Sequence, residues 1–283
     1  SPWKKYNRET YADARMVHVY TLGEFLGHKG SNERVDAAIK GLLGVLKDKE
    51  YGGWYSALTP DGGHTDNKLC YVHAFVILAG TGAVLSGHEK GKELLEEALS
   101  VYDRYFWNEE DGMSCDTWNT EFTVMDPYRG LNANMHTVEA FLAVADVTKN
   151  EKYRIRCGRI IDRVIGWAAN NEWRIPEHYT NKWVPDMEYN KNHLDDQFKP
   201  YGATPGHGLE WARLIIQWAL STYGDDVDRD AAYIDASENL FNRAVEDGWS
   251  ADGAPGIVYT TDWNGKPIVH DSCLLYTSDA ADD

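Results

Sequence analysis

Apolar residues recur at helical spacing in eight segments of the chain, at 11–27, 32–47, 68–86, 89–106, 132–147, 151–170, 206–222 and 229–246. Leu94, Ala98, Val101 and Tyr105 show the period in the fourth. Short Gly- and Trp-rich stretches lie between pairs of helices, at 51–58 with Asp61 and Gly62, at 111–118 and at 256–263. These predict small β-hairpins or turns. Helix, helix and short connection thus repeat four times, about sixty residues or more apart, so that each unit buries its face against the next. No Pro/Ser-rich linker interrupts the series. The pattern predicts a single all-α domain, a toroid of helical hairpins with alternate helices inside and outside.

That alternation makes a further prediction. If the first, third, fifth and seventh helices are inner, their N-termini share one rim, and polar clusters belong there. These helices carry Tyr11, Arg15 and His18; Tyr71 and His73; Asn132, His136 and Glu139; and His207 and Glu210. The other four are ordinary amphipathic helices, as Glu93, Glu96 and Glu97 illustrate. Positive helix ends around one pocket favour chemistry in which negative charge develops. Asn132, His136 and Glu139 stand at i, i+4 and i+7 and share a helix face. His207 and Glu210 are one turn apart behind Pro205, whose fixed φ suits a helix start. A carboxylate beside an imidazole can hold its tautomer and raise its basicity. Arg15 suits either a hydroxyl or developing oxyanion, or an internal salt bridge. Tyr71 and His73 lie on a strongly apolar helix, where core packing and ligand contact are equally open. Histidines 28, 64, 88, 178, 193 and 270 are expected to be solvated, with His193 in a loop at 192–199 able to close over a pocket.

Composition narrows the function classes. The chain has 283 residues, 43% hydrophobic and 26% charged, the balance of a globular protein. Its 11 Trp and 17 Tyr suit a large core and equally a pocket that stacks sugars. A net charge of −17, with no basic cluster beyond Lys4 and Lys5, argues against nucleic acid and anionic membranes as partners. There is no apolar run long enough to span a bilayer and no secretory signal, so a cytoplasmic location is expected. Cysteines 70, 115, 157 and 273 lack metal-site spacing, and no paired His/Glu zinc motif is present. No metal and no cofactor are expected; the oligomeric state is not encoded in any feature of the sequence.

Four stretches carry a family resemblance: ARMVHVY (14–20), YGGWY (51–55), NANMHTVEA (132–140) and GATPGHGLEW (202–211). In order, they resemble the mannose- and sulfoquinovose-isomerising branches of the N-acylglucosamine 2-epimerase superfamily, over nearly all of residues 10–271. The resemblance implies a six-hairpin (α/α)6 barrel and a cofactor-free aldose–ketose isomerase acting on a monosaccharide through a cis-enediol(ate). It makes His207 one of two catalytic histidines, and has Arg15, Tyr71, Asn132, His136 and Glu210 line the sugar site. In this reading Glu210 orients His207, and Arg15 and the helix starts stabilise the enediolate, with Glu139 in support. The sulfonate-binding branch carries an arginine where this chain has Gln197, which favours mannose over sulfoquinovose. Epimerases of the cellobiose or N-acylglucosamine type are the third option.

The resemblance also implies that the chain is incomplete, with about eight of twelve helices and without the second catalytic histidine. Residues 1–272 are expected to form a partial barrel of weak or no activity. The tail CLLYTSDAADD (273–283) resembles the translation of a transposase-type sequencing adapter and is expected to have no packed structure. Two rivals from other classes remain: an α/α-barrel glycoside hydrolase using Glu139 and Glu210 as its carboxylate pair, and a non-catalytic sugar- or protein-binding module.

Overall fold

Among the described residues, 6–224 and 231–269 of the computed structural model, eight helices form where the apolar period predicts them. They are α1 (Thr10–Phe25), α2 (Ser31–Leu43), α3 (Cys70–Leu85), α4 (Gly91–Tyr105), α5 (Leu131–Thr148), α6 (Glu151–Ala169), α7 (Pro205–Tyr223) and α8 (Ala231–Gly248). His270, Cys273 and the tail at 273–283 lie outside these residues. Two compact units divide the chain, one of Ser1–Tyr128 with His136–Arg156 and one of Arg129–Met135 with Cys157–Asp283, so the boundary runs through α5.

In the first unit α1 packs against both α2 and α3, and α3 against α4. α3 has no charged residue and is buried around most of its circumference, from Cys70 and Val72 to Thr81 and Ala83. α4 instead buries one stripe, Leu94, Leu95, Ala98 and Tyr102, while Lys92, Glu93 and Glu96 face outward. Each large side chain of such a stripe contributes about 1.5–3 kcal/mol relative to exposure. α3 and α4 meet closely at Gly80, where a Cβ would stand 2.8 Å from the Leu95 Cα. α1 departs from the pattern. Its inner face buries Ala14 and Val17, yet all its exposed residues, Ala12, Met16, Val19, Leu22 and Phe25, are also apolar. A helix apolar on both faces has the composition of one packed on both. In the second unit α7 packs against α8, burying Trp211, Leu214, Ile215 and Trp218.

The Gly- and Trp-rich connections were expected to be small hairpins or turns, and they contain local pairings: the strands Trp107–Asn108 with Met113–Ser114 and Thr260–Thr261 with Pro267–Val269, and the bridges Lys47–Trp54, Leu58–His64, Trp118–Met125 and Trp249–Ile257. The other strand pairs are long-range and, with the Ala203–Thr261 bridge, follow one rule. Each odd-numbered helix is entered from a short strand or bridge that pairs with chain following the next even-numbered helix. Arg8–Glu9 pairs with Ala57–Leu58, Asn67–Leu69 with Thr117–Asn119, Arg129–Gly130 with His178–Tyr179, and Ala203 with Thr261. The first helical N–H then continues the ladder: Thr10 donates to Ser56 O, Cys70 to Asp116 O and Leu131 to Glu177 O, with the same sequence separation each time. Pro205 has no N–H to donate, and the Ala203–Thr261 pair instead exchanges two bonds of 2.9 Å. These ladders satisfy donors that a helix start would otherwise leave unpaired.

One loop of the first unit is held by buried charge. Lys68 Nζ lies 2.8 Å from Asp48 Oδ2 with both side chains fully buried, and it also donates to Gly52 O. Asp48 Oδ1 accepts the Glu50 and Tyr51 amides, so both buried charges are compensated. Loss of one partner from such a pair costs about 3–5 kcal/mol.

His88, expected to be solvated, is instead ion-paired. Its Nδ1 donates to Asp36 at 2.7 Å and its Nε2 to Glu24 at 2.9 Å, tying the turn after α3 to α1 and α2. A neutral imidazole has one N–H, so only the imidazolium satisfies both carboxylates. Burial opposes the charge, but Asp36 and Glu24 outweigh it and hold the pKa above 6.5. A folded-state pKa above the unfolded value gives stability that is complete below the unfolded pKa and lost as pH rises through the folded one. Thermal unfolding should therefore show wild type more stable than His88→Gln near pH 5.5, with a gap that narrows by pH 8.5; a gap that widens with pH contradicts this.

Candidate active site

Three helices of the first unit bring polar and aromatic groups together near their N-terminal ends. Arg15 of α1, Phe75 of α3 and His136 of α5 each occupy the sixth position of their helix. The Arg15 guanidinium lies 4.4 Å from the Phe75 ring centroid, and the Phe75 and His136 rings are 4.6 Å apart. Tyr71 stands edge-on to His136 at 5.1 Å and to Tyr11 at 5.6 Å. His136 is buried and donates from Nδ1 to Glu139 Oε2 at 3.2 Å, so this tautomer keeps its basic nitrogen at Nε2. Arg15, Tyr71, His136 and Glu139, singled out by sequence, thus share one neighbourhood; Phe75, which supplies its floor, did not stand out from the apolar run around it. A cavity of about 1000 Å³ in this unit lies elsewhere, at the C-terminal ends of α1 and α3, and is lined by Glu24, Asp36, Lys40, His88 and Glu93.

His73, on the same helix as Tyr71, has another role. The Trp54 amide donates to its Nε2 at 3.2 Å, and its Nδ1 donates to Leu69 O at 2.7 Å. Both nitrogens are committed, and burial pushes its pKa down to about 3. Gly53 packs over the ring with φ +69°, and a Cβ there would come within 2.7 Å of Nε2. Of the two options open from sequence, core packing holds for His73.

In the second unit, α7 presents His207 in its first turn. The sequence expectation paired His207 with Glu210. The structure sets a different carboxylate on it: Nδ1 lies 3.0 Å from Glu177 Oε1, with His207 13% and Glu177 4% exposed. Glu210 sits one turn further along with its side chain fully buried, and its Oε1 accepts a 3.0 Å bond from Arg213 Nη2. Glu210 pairs with Arg213, its own i+3 neighbour, whereas Glu177 stands just before the strand His178–Tyr179, with its carbonyl bonded to the Leu131 amide. Glu177 was missed because nothing in its local sequence is periodic. The repeat register held the signal: Ser56, Asp116 and Glu177 are equivalent, each accepting the first helical N–H of its repeat. Asn132, in the first turn of α5, is half-buried, and its Oδ1 has no hydrogen-bond partner among the described residues. His178 was expected to be solvated; it is buried and donates from Nε2 to Pro200 O at 2.7 Å, with burial lowering its pKa. His28, His64 and His193 are exposed as expected.

With this geometry, a fold of helical hairpins whose odd-numbered helices start on polar clusters, comparison with known proteins is direct. The family model of N-acylglucosamine 2-epimerase (GlcNAc 2-epimerase) matches residues 1–277. The chain belongs to the N-acylglucosamine 2-epimerase family. It is 40% identical over 261 residues to the D-mannose isomerase of Pseudomonas cannabina pv. alisalensis, covering 92% of this chain and 63% of that protein. A crystal structure of D-mannose isomerase superposes with a TM-score of 0.83 at 27% identity, covering 97% of this chain and 70% of the other. Cellobiose 2-epimerase from Bacillus thermoamylovorans shares the fold with a TM-score of 0.77 at 18% identity, covering 94% and 67%. The fold class is the all-α (α/α)6-barrel class of these structures. The chain spans less than two thirds of the length of the Pseudomonas relative. No helix among the described residues is long and apolar enough to cross a membrane.

His73 gives a direct test of the division between structural and chemical histidines. Its ring resonances should not titrate between pH 4.5 and 9, and His73→Ala should destabilise the fold by about 2–4 kcal/mol, from the cavity and the orphaned Trp54 amide. Titration near pH 6.5 would show that the ring is not committed in this way.

Proposed function

We propose that this chain carries the base of a metal-independent aldose–ketose isomerase that interconverts D-mannose and D-fructose in the cytoplasm. The observation that carries this reading is His207, an imidazole at a helix start with a carboxylate on Nδ1, inside the stretch GATPGHGLEW. Similarity to D-mannose isomerases in sequence and in structure supports the substrate class.

In this reading His207 takes the C2 proton of the open-chain aldose, and the C2–H electron pair becomes the C1–C2 double bond of an enediolate. Arg15 and the helix starts stabilise the charge left on O1. Return of the proton to C1, with transfer of the O2 proton to O1, gives the ketose. Tyr71, Asn132, His136, Glu139 and Glu210 line the sugar site. A neutral imidazole titrates close to working pH, which suits this two-way transfer. The chain has Gln197 rather than a cation at the position expected to grip a sulfonate, and this supports mannose over sulfoquinovose. Against a glycoside hydrolase built on Glu139 and Glu210 stands the similarity of the chain to D-mannose isomerases over most of its length.

The full-length gene product containing this chain, incubated with D-mannose without added metal, should form D-fructose, and His207→Ala should slow it by about 10³-fold. Glucose as product would make it an epimerase. Turnover of sulfoquinovose alone would move it to the other branch, and full activity in the variant would refute His207 as the base.

A further inference from the structure

His207 is the proposed base, and its ability to act depends on which nitrogen carries the proton. Glu177 Oε1 lies 3.0 Å from Nδ1. Glu177 is only 4% exposed and is held on both sides by main-chain bonds. Its carbonyl accepts the Leu131 amide at 3.1 Å, and its neighbour His178 pairs with Gly130 across the strand ladder. On the near side the Tyr179 hydroxyl closes back onto Pro176 O, and the His178 ring donates to Pro200 O. Four links thus fix the backbone that carries this carboxylate, while α7 fixes the backbone that carries the imidazole.

We propose that Glu177 is the positioning residue of the isomerase: it accepts the Nδ1 proton of His207, fixes the Nδ1–H tautomer, and so makes Nε2 the nitrogen that receives the substrate proton. This rests on the reading of His207 as the base. During turnover Glu177 serves as a hydrogen-bond acceptor. When Nε2 takes the C2 proton, the ring becomes an imidazolium whose new charge faces a carboxylate already in place, with no reorganisation required. No proton passes to Glu177. Glu210 Oε1 accepts a bond from Arg213 Nη2.

The repeat explains how one carboxylate came to this place. Position 177 corresponds to Ser56 and Asp116, the acceptors for Thr10 and Cys70. Of the three, Glu177 carries the longest acidic side chain, and it stands against the imidazole of His207 in the first turn of the next odd-numbered helix.

The test separates tautomer from turnover. In histidine-15N-labelled protein, long-range 1H–15N correlation should show His207, assigned by its loss in His207→Ala, with Nδ1 protonated and Nε2 bare. Glu177→Gln keeps the volume but removes the charge, and Glu177→Ala removes the acceptor; both should shift the ring toward Nε2–H. In the full-length protein both should lower kcat by about 10²-fold with KM changed less than about threefold, since the loss is of orientation rather than of sugar binding. If Glu177→Ala does not fold, Glu177→Gln carries the same two readouts. An unchanged tautomer, or an unchanged kcat, in a folded variant overturns the proposal. If instead His207→Ala keeps full activity, the base assignment fails, and the tautomer measurement still decides whether Glu177 governs the ring.

Discussion

A buried imidazole has two nitrogens and one proton, and the partner of the first nitrogen decides what the second can do. The molecule uses this constraint in several ways. His73 spends both nitrogens on the main chain, at Leu69 O and the Trp54 amide, and is locked as a neutral strut. His88 spends both on carboxylates and is locked as a cation. His136 and His207 each spend Nδ1 on one glutamate, Glu139 and Glu177. For those two the Nδ1–H tautomer places the basic lone pair on Nε2, and both stand near the start of an odd-numbered helix. Chemistry separates from scaffolding by partners, not by residue type.

The partners come from the way the repeat is wired. Each odd-numbered helix is entered from a strand or bridge whose mate follows the next even-numbered helix, so residues far apart in sequence are set beside a helix start by main-chain bonds. This is cheap to evolve and rigid once formed, because the ladder holds the backbone while the side chains on it remain free to vary. The result is a framework in which Ser56, Asp116 and Glu177 can differ without changing the fold.

Much of this was legible in the sequence, and the limits have physical reasons. Helix positions follow from apolar period, so all eight were readable, as was the gathering of Arg15, Tyr71, His136 and Glu139 in one neighbourhood. The long-range strand pairs were not, since two-residue strands have no period and their mates lie in another part of the repeat. The same blindness hid Glu177, and led to expecting solvent around His88 and His178, whose partners Asp36, Glu24 and Pro200 are all distant in sequence. A carboxylate one turn along the same helix is visible in the sequence and a distant one is not: Glu210 is three residues from His207, whereas Glu177, which stands on its Nδ1, is thirty residues away.

The central claim is that a protein-borne imidazole carries the proton between C2 and C1. It is tested most directly by turnover of [2-2H]mannose in ordinary water by the full-length protein. A base mechanism predicts fructose that has lost much of its deuterium to solvent, with any retained label at C1, and a primary isotope effect that disappears along with activity in His207→Ala. Complete transfer of deuterium from C2 to C1, with no exchange at any extent of reaction, would mean a hydride shift and would contradict the account.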